Sequence, residues 1–198
     1  MKNINNILFL ILIFVLSSCQ PNKVFTLIES GRVEINNMYS LKTNKKWSQF
    51  EQKEYNFIFW TVNGYSLERI VFFRPIGDNK SLYDHNSFFT RESEKRPTYN
   101  SNMNKFEIKE FFEDCILWSK RLVKIDSNNF KNYKIDNFDG ITFDIEGQNE
   151  LGLIYKGFVV AVVKDKKLYL TYFIATKIEF YDKYHKEAKK ILNSIKFL

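Results

Sequence analysis

The chain has 198 residues, 44% of them hydrophobic and 17% aromatic, with a formal net charge of +7. That much apolar material excludes a disordered chain and suits one domain with a full core. Lysines and acids interleave without a block of like charge, so the positive balance reads as solvated lysines, and no nucleic-acid partner is expected.

Three zones open the chain: a polar start with Lys2, an unbroken apolar run over 7–16, and Ser17-Ser18 before Cys19. A charged n-region, a short apolar h-region and small residues make a secretory signal over 1–18. A membrane-spanning helix is excluded by length, since ten residues rise roughly 15 Å against a bilayer core of about 30 Å.

Leu16-Ser17-Ser18-Cys19 resembles the lipobox of bacterial lipoproteins. The resemblance implies cleavage between Ser18 and Cys19 and a diacylglycerol on the cysteine sulfur. That covalent lipid is the expected attachment in place of any cofactor, and a cysteine with several acyl chains anchors stably. In diderm members an aspartate after the cysteine holds the protein at the inner membrane. Gln20 here implies the outer membrane, facing the periplasm.

Residues 19–30 read as a lipidated tether and 31–198 as a single globular domain. A short strand is expected over 33–41, then a strong one over 56–62, rich in aromatic residues. Asn63-Gly64 suits a tight hairpin turn, with a return strand over 67–74. Between 75 and 102 the periodicity fails, and a long surface loop is expected.

Ser101 or Asn102 can cap a helix over 103–123, with Ile108, Phe111, Phe112, Cys115 and Leu122 inward. With Cys19 lipidated, Cys115 has no intramolecular partner, and its place on the apolar face suits a buried thiol. Four strands follow, over 131–136, 141–146, 151–163 and 167–176, joined by turns at 138–140, 147–149 and 164–166. Connections this short join only antiparallel neighbours. A last helix over 178–193 turns Tyr181, Tyr184, Ala188, Ile191 and Leu192 inward.

Trp60-Thr61-Val62-Asn63-Gly64, a long helix, Asp139-Gly140-Ile141-Thr142-Phe143-Asp144, the strands over 157–163 and 167–173, and the closing helix form an order that resembles the PsbP-like (Mog-like) superfamily. The resemblance implies an α+β fold: a three-layer α/β/α sandwich with a mainly antiparallel sheet of six or seven strands and two main helices. It also implies an accessory or small-protein-binding role on membrane complexes, and it carries over no functional residue.

His85 and His185 lack metal-ligand spacing, and no Gly-x-Ser-x-Gly elbow or phosphate loop is present, so neither a metal site nor a catalytic set is expected. Asp144 and Glu146 share one strand face, either as an acid/base pair or as partners for lysines. Tyr83, Phe88, Phe89 and Tyr99 are aromatic residues in a polar loop, with Arg91, Lys95 and Arg96 as a basic rim. They are either anchors for a partner or rings folded back onto the core.

The expected role is a non-enzymatic envelope module that binds an unidentified envelope protein. A binder of a small or lipid-like ligand is the alternative, and a hydrolase the third reading. Metabolic labelling with an alkyne fatty acid should mark the native chain and spare Cys19→Ala. Equal labelling of both would remove the anchor.

Overall fold

The computed structural model describes residues 25–83 and 95–198. Among these residues, eleven strands and two helices run in the order β1 (Phe25–Ile28), β2 (Gly31–Ile35), β3 (Tyr39–Thr43), β4 (Trp47–Glu51), β5 (Phe57–Thr61), β6 (Glu68–Phe73), α1 (Lys105–Trp118), β7 (Lys124–Ile135), β8 (Phe138–Gln148), β9 (Ile154–Lys164), β10 (Lys167–Thr176), α2 (Phe180–Asn193) and β11 (Lys196–Phe197).

The main sheet holds eight strands, not six or seven, in the order β1-β4-β5-β6-β10-β9-β8-β7, and all its pairings are antiparallel. A separate sheet, β11-β3-β2, lies on the α2 side. The strands beyond those expected are β1, β4, β11 and a second one within 33–41. Phe25–Ile28, expected within the tether, pairs with β4 as an edge strand. The strand expected over 33–41 is a hairpin, broken at Asn36-Asn37, whose positive φ values of 44° and 54° form a tight turn.

Alternation along the central strands divides the core in two. Phe57, Phe59, Val71, Phe73, Tyr172 and Ile174 face α1, which buries Ile108, Phe111, Phe112, Cys115 and Ile116 against them. Ile58, Trp60, Ile70, Phe72 and Phe173 face α2, whose Tyr184, Ala188, Ile191 and Leu192 complete the second core. Gly157 allows β9 to approach β10 closely, since a Cβ there would lie 2.1 Å from Phe173 O.

Helix α1 is capped by Asn104, not by Ser101 or Asn102. Its Oδ1 accepts from Phe106 N and Glu107 N, while the Glu107 carboxylate accepts from Asn104 N. The helix stops at Trp118, five residues early, because Lys120 takes φ 53° and turns the chain into β7. β7 is twice the expected length, and its hairpin to β8 turns at Asp136-Asn137 rather than at 138–140. The expected 63–64 turn widens into a loop over 62–67. There Glu68 Oε1 accepts from Val62 N and Asn63 N, both at 2.7 Å, and from Thr61 Oγ1 at 3.0 Å.

Cys115 is fully buried, 3.5 Å from the Ser81 hydroxyl. Burial pushes its thiol up to about 11, against the lowering effect of the Ser81 hydroxyl and the Leu82 backbone. The folded value lies above the unfolded 9.0, so the contribution to stability is full below pH 9 and falls as pH rises toward 11. Ellman's reagent at pH 8 should leave the native thiol unmodified and react once the chain is unfolded, and Cys115→Ala should weaken the stability loss above pH 9. Rapid native modification would place the thiol at the surface.

Candidate functional site

Two surfaces among the described residues could receive a ligand or partner. The first is a groove of about 540 Å³ between the β7–β9 end of the sheet and α2. A bulge in β7 shapes it: register shifts between Asn128 and Lys131, and Asn129 takes φ 53°. Asn129 Nδ2 then donates to Asp144 Oδ2 at 2.8 Å.

Phe158 and Val160 form the apolar floor of the groove, and Lys189 lies 5.5 Å above the Phe158 ring. The Tyr133 hydroxyl donates to Asn193 Oδ1 and ties β7 to α2. Thr142 is occupied on Val159 O. Lys131, Lys189 and Asp144 leave both signs of charge along the lining, which carries no histidine, cysteine or serine. This arrangement can pair charges and donate hydrogen bonds. It presents no nucleophile beside a base.

The second surface is apolar and lies at one end of the sheet. Leu151 is 92% exposed at the β8–β9 turn, and Ile178 is 80% exposed between β10 and α2. Leu153 and Val123 are also exposed there. Backbone bonds draw these segments together, Val123 N to Gln148 O at 2.8 Å and Lys177 N to Ile154 O at 2.9 Å. Ile178 is held outward by a γ-turn in which Phe180 N donates to Ile178 O, with Glu179 at φ 72° and ψ −62°. That conformation is rare and strained for a residue with a Cβ. Glu146 rims the patch, bridging Lys156 and Lys177, and the Lys177 hydrogen bond, with the charges of both lysines, holds its carboxyl below the usual range.

The sequence-derived candidates do not assemble into one site. Cys19 and Ser18, with Phe88, Phe89, Arg91 and His85, lie outside the described residues. Tyr83 and Tyr99 are core residues, 5% and 1% exposed, and the anchor role expected for them is replaced by packing. Tyr83 meets Phe57 and Phe73 edge-on, and its hydroxyl lies 3.2 Å from that of Tyr172. Tyr99 packs on Phe111, and its backbone is bonded to Asn79 and Lys80. The flanks of the expected loop are thus a strap over the α1-side core, fastened also by the paired Ile76–Leu168 bridge.

Lys95 is exposed and Arg96 half-buried. His185 stacks on Tyr181 at 5.0 Å. Asp144 and Glu146 part company, one serving the groove and the other two lysines. Sequence reasoning missed Glu68, Arg69 and Arg121. The signal for Glu68 and Arg69 was a charged pair inside the otherwise apolar run Leu67-Glu68-Arg69-Ile70-Val71-Phe72-Phe73, which places charge within a doubly covered strand; Arg121 had none.

No family model matches the chain, and no curated protein matches it. Among solved structures it is similar to a chain from Bacteroides thetaiotaomicron VPI-5482, at 12% identity and TM-score 0.49 over 86% of this chain. It spans 49% of the length of that Bacteroides chain. It is also similar to the cyanobacterial PsbP (CyanoP) from Synechocystis sp. PCC 6803, at 8% identity and TM-score 0.49, covering 91% of this chain and 96% of that one. Likeness at this level leaves the fold to be read from the chain itself.

Replacing Tyr83 or Tyr99 by serine should lower stability by about 3–5 kcal/mol each, as for a deleted core ring. For a domain this size that is a fall in Tm of roughly 10 °C. Thermal unfolding followed by circular dichroism checks it, and an unchanged Tm would return the rings to the surface.

Proposed function

We propose that this chain is a lipid-anchored protein of the bacterial envelope, tethered through Cys19, whose PsbP-like domain is a non-enzymatic binding module for an envelope protein. In a diderm bacterium the membrane is the outer one. The lipobox order at Leu16-Ser17-Ser18-Cys19 supports the anchor. A sheet covered by α1 on one face and α2 on the other supports the PsbP-like reading.

The observation that carries the binding role is the apolar end formed by Val123, Leu151, Leu153 and Ile178. Apolar residues this exposed, gathered at one place and rimmed by charge, mark a protein-contact surface. Register sets Phe25 level with Val159, midway along β9, and Ile28 beside Trp47 toward the Thr61 end, so β1 runs toward the apolar end.

The groove favours a second reading, a small ligand with an apolar body and a charged group, seated on Phe158 and Val160 between Lys189 and Asp144.

A photo-crosslinking residue at position 151 or 178 should give one discrete adduct in intact cells, and the same residue at exposed Lys53 should give none. Leu151→Ser with Ile178→Ser should abolish the adduct made from position 153 and move the Tm by less than about 2 °C, since exposed substitutions stay within about 0.5 kcal/mol. Adducts of equal yield at Lys53 would remove the apolar end as the docking surface.

A further inference from the structure

On the α1-facing side of the sheet, two arginines converge on one aromatic ring. Arg69 leaves β6 and lies 4.1 Å from the Tyr65 ring centroid. Arg121, just after α1, lies 5.6 Å from the same ring, 5.2 Å from Phe57 and 4.4 Å from Tyr83. Arg69 is 5% exposed, and its Nη1 donates to Tyr65 O at 2.7 Å.

Three polar atoms of this cluster are unmet. The Nε atoms of Arg69 and Arg121 and the Tyr65 hydroxyl are buried with no hydrogen-bond partner among the described residues. Neither guanidinium has a described carboxylate at ion-pair distance, whereas Arg74 and several lysines do. Glu68, next in sequence to Arg69, points to the other face and is engaged by the 62–63 backbone. Burial pulls the Arg121 guanidinium below its ordinary value, with only Tyr172 and Tyr55 acting against it.

Two like charges drawn together with no counter-ion among the described residues oppose folding, and an anion between them offsets that cost. The planar fork of a guanidinium matches the oxygens of carboxylate and phosphate. Solvent reaches the edge of the cluster, for Tyr55 is exposed and Tyr65 and Arg121 are half-buried.

We propose that Arg69, Arg121 and the Tyr65 hydroxyl form a binding site for an oxyanion, the phosphate or carboxylate group of a small ligand. The site stands apart from the groove, which lies on the α2-facing side, and does not depend on the membrane anchor or on the docking end.

Thermal unfolding of the full chain tests it, with inorganic phosphate or acetate added in separate arms at an ionic strength held constant with chloride. One anion should raise the Tm by about 5 °C at a hundredfold excess over its Kd, and Arg121→Gln should abolish the rise. Phosphate alone acting identifies a phosphate site, acetate alone a carboxylate site, and both a general oxyanion site. A second measurement needs no variant: phenylglyoxal should modify Arg121 in the native chain, and the effective anion should slow that labelling at least fivefold. No rise with either anion, an equal rise in Arg121→Gln, or unprotected labelling would each overturn the site.

Discussion

The fold depends on a sheet whose centre is covered on both faces. Every residue of β5 and β6 is buried, so neither strand can spend its alternate positions on solvent. Each face therefore needs its own apolar cover, and the chain supplies α1 with the Tyr83–Tyr99 strap on one side and α2 with the small sheet on the other. The same constraint sets the polar chemistry. Glu68 and Arg69 enter a strand with no exposed face, and each must find partners where it lies. Glu68 does so by organising the loop after β5, whose N–H groups would otherwise lose their own partners. Arg69 finds a ring and a single carbonyl, and that difference separates a structural carboxylate from an unfinished cationic site.

What the sequence made legible follows the same physics. Strands over 56–62 and 167–176 stand out because both faces are apolar and aromatic, and the Asp165-Lys166 turn is short. Helix α2 was legible from its periodicity, with Tyr184, Ala188, Ile191 and Leu192 inward as expected. The first half of β7 was not, because Asp126-Ser127-Asn128-Asn129 has the composition of a loop and becomes a strand only by pairing with β8. β1 and β4 were hidden for the related reason that short, partly exposed strands at and next to the sheet edge carry little apolar signal.

The sites were less legible than the fold. Tyr83 and Tyr99 have polar neighbours in sequence and apolar ones in space, and one-dimensional composition shows only the former. Arg121 lies fifty-two positions after Arg69 along the chain, and nothing in that interval announces that Tyr65 brings them together. The groove likewise depends on a bulge at Asn129 that no turn motif encodes. Exposed Leu151 and Ile178 were visible as apolar residues, but their exposure comes from the Asn149 side chain shaping one turn and from the backbone at Glu179 shaping the other.

The pairing of β6 with β10 has a kinetic meaning. Ile70 sits opposite Phe173, about a hundred residues later in the chain. Closing so long an interval costs entropy before any contact rewards it, and folds built on such pairings form slowly. Until β10 is available, β4–β6 and β7–β9 are two half-sheets, each with an apolar edge open along its length. Synthesis therefore delivers nearly the whole domain before its two halves can join. The last strand of the main sheet to be made is thus the one that locks its two halves together.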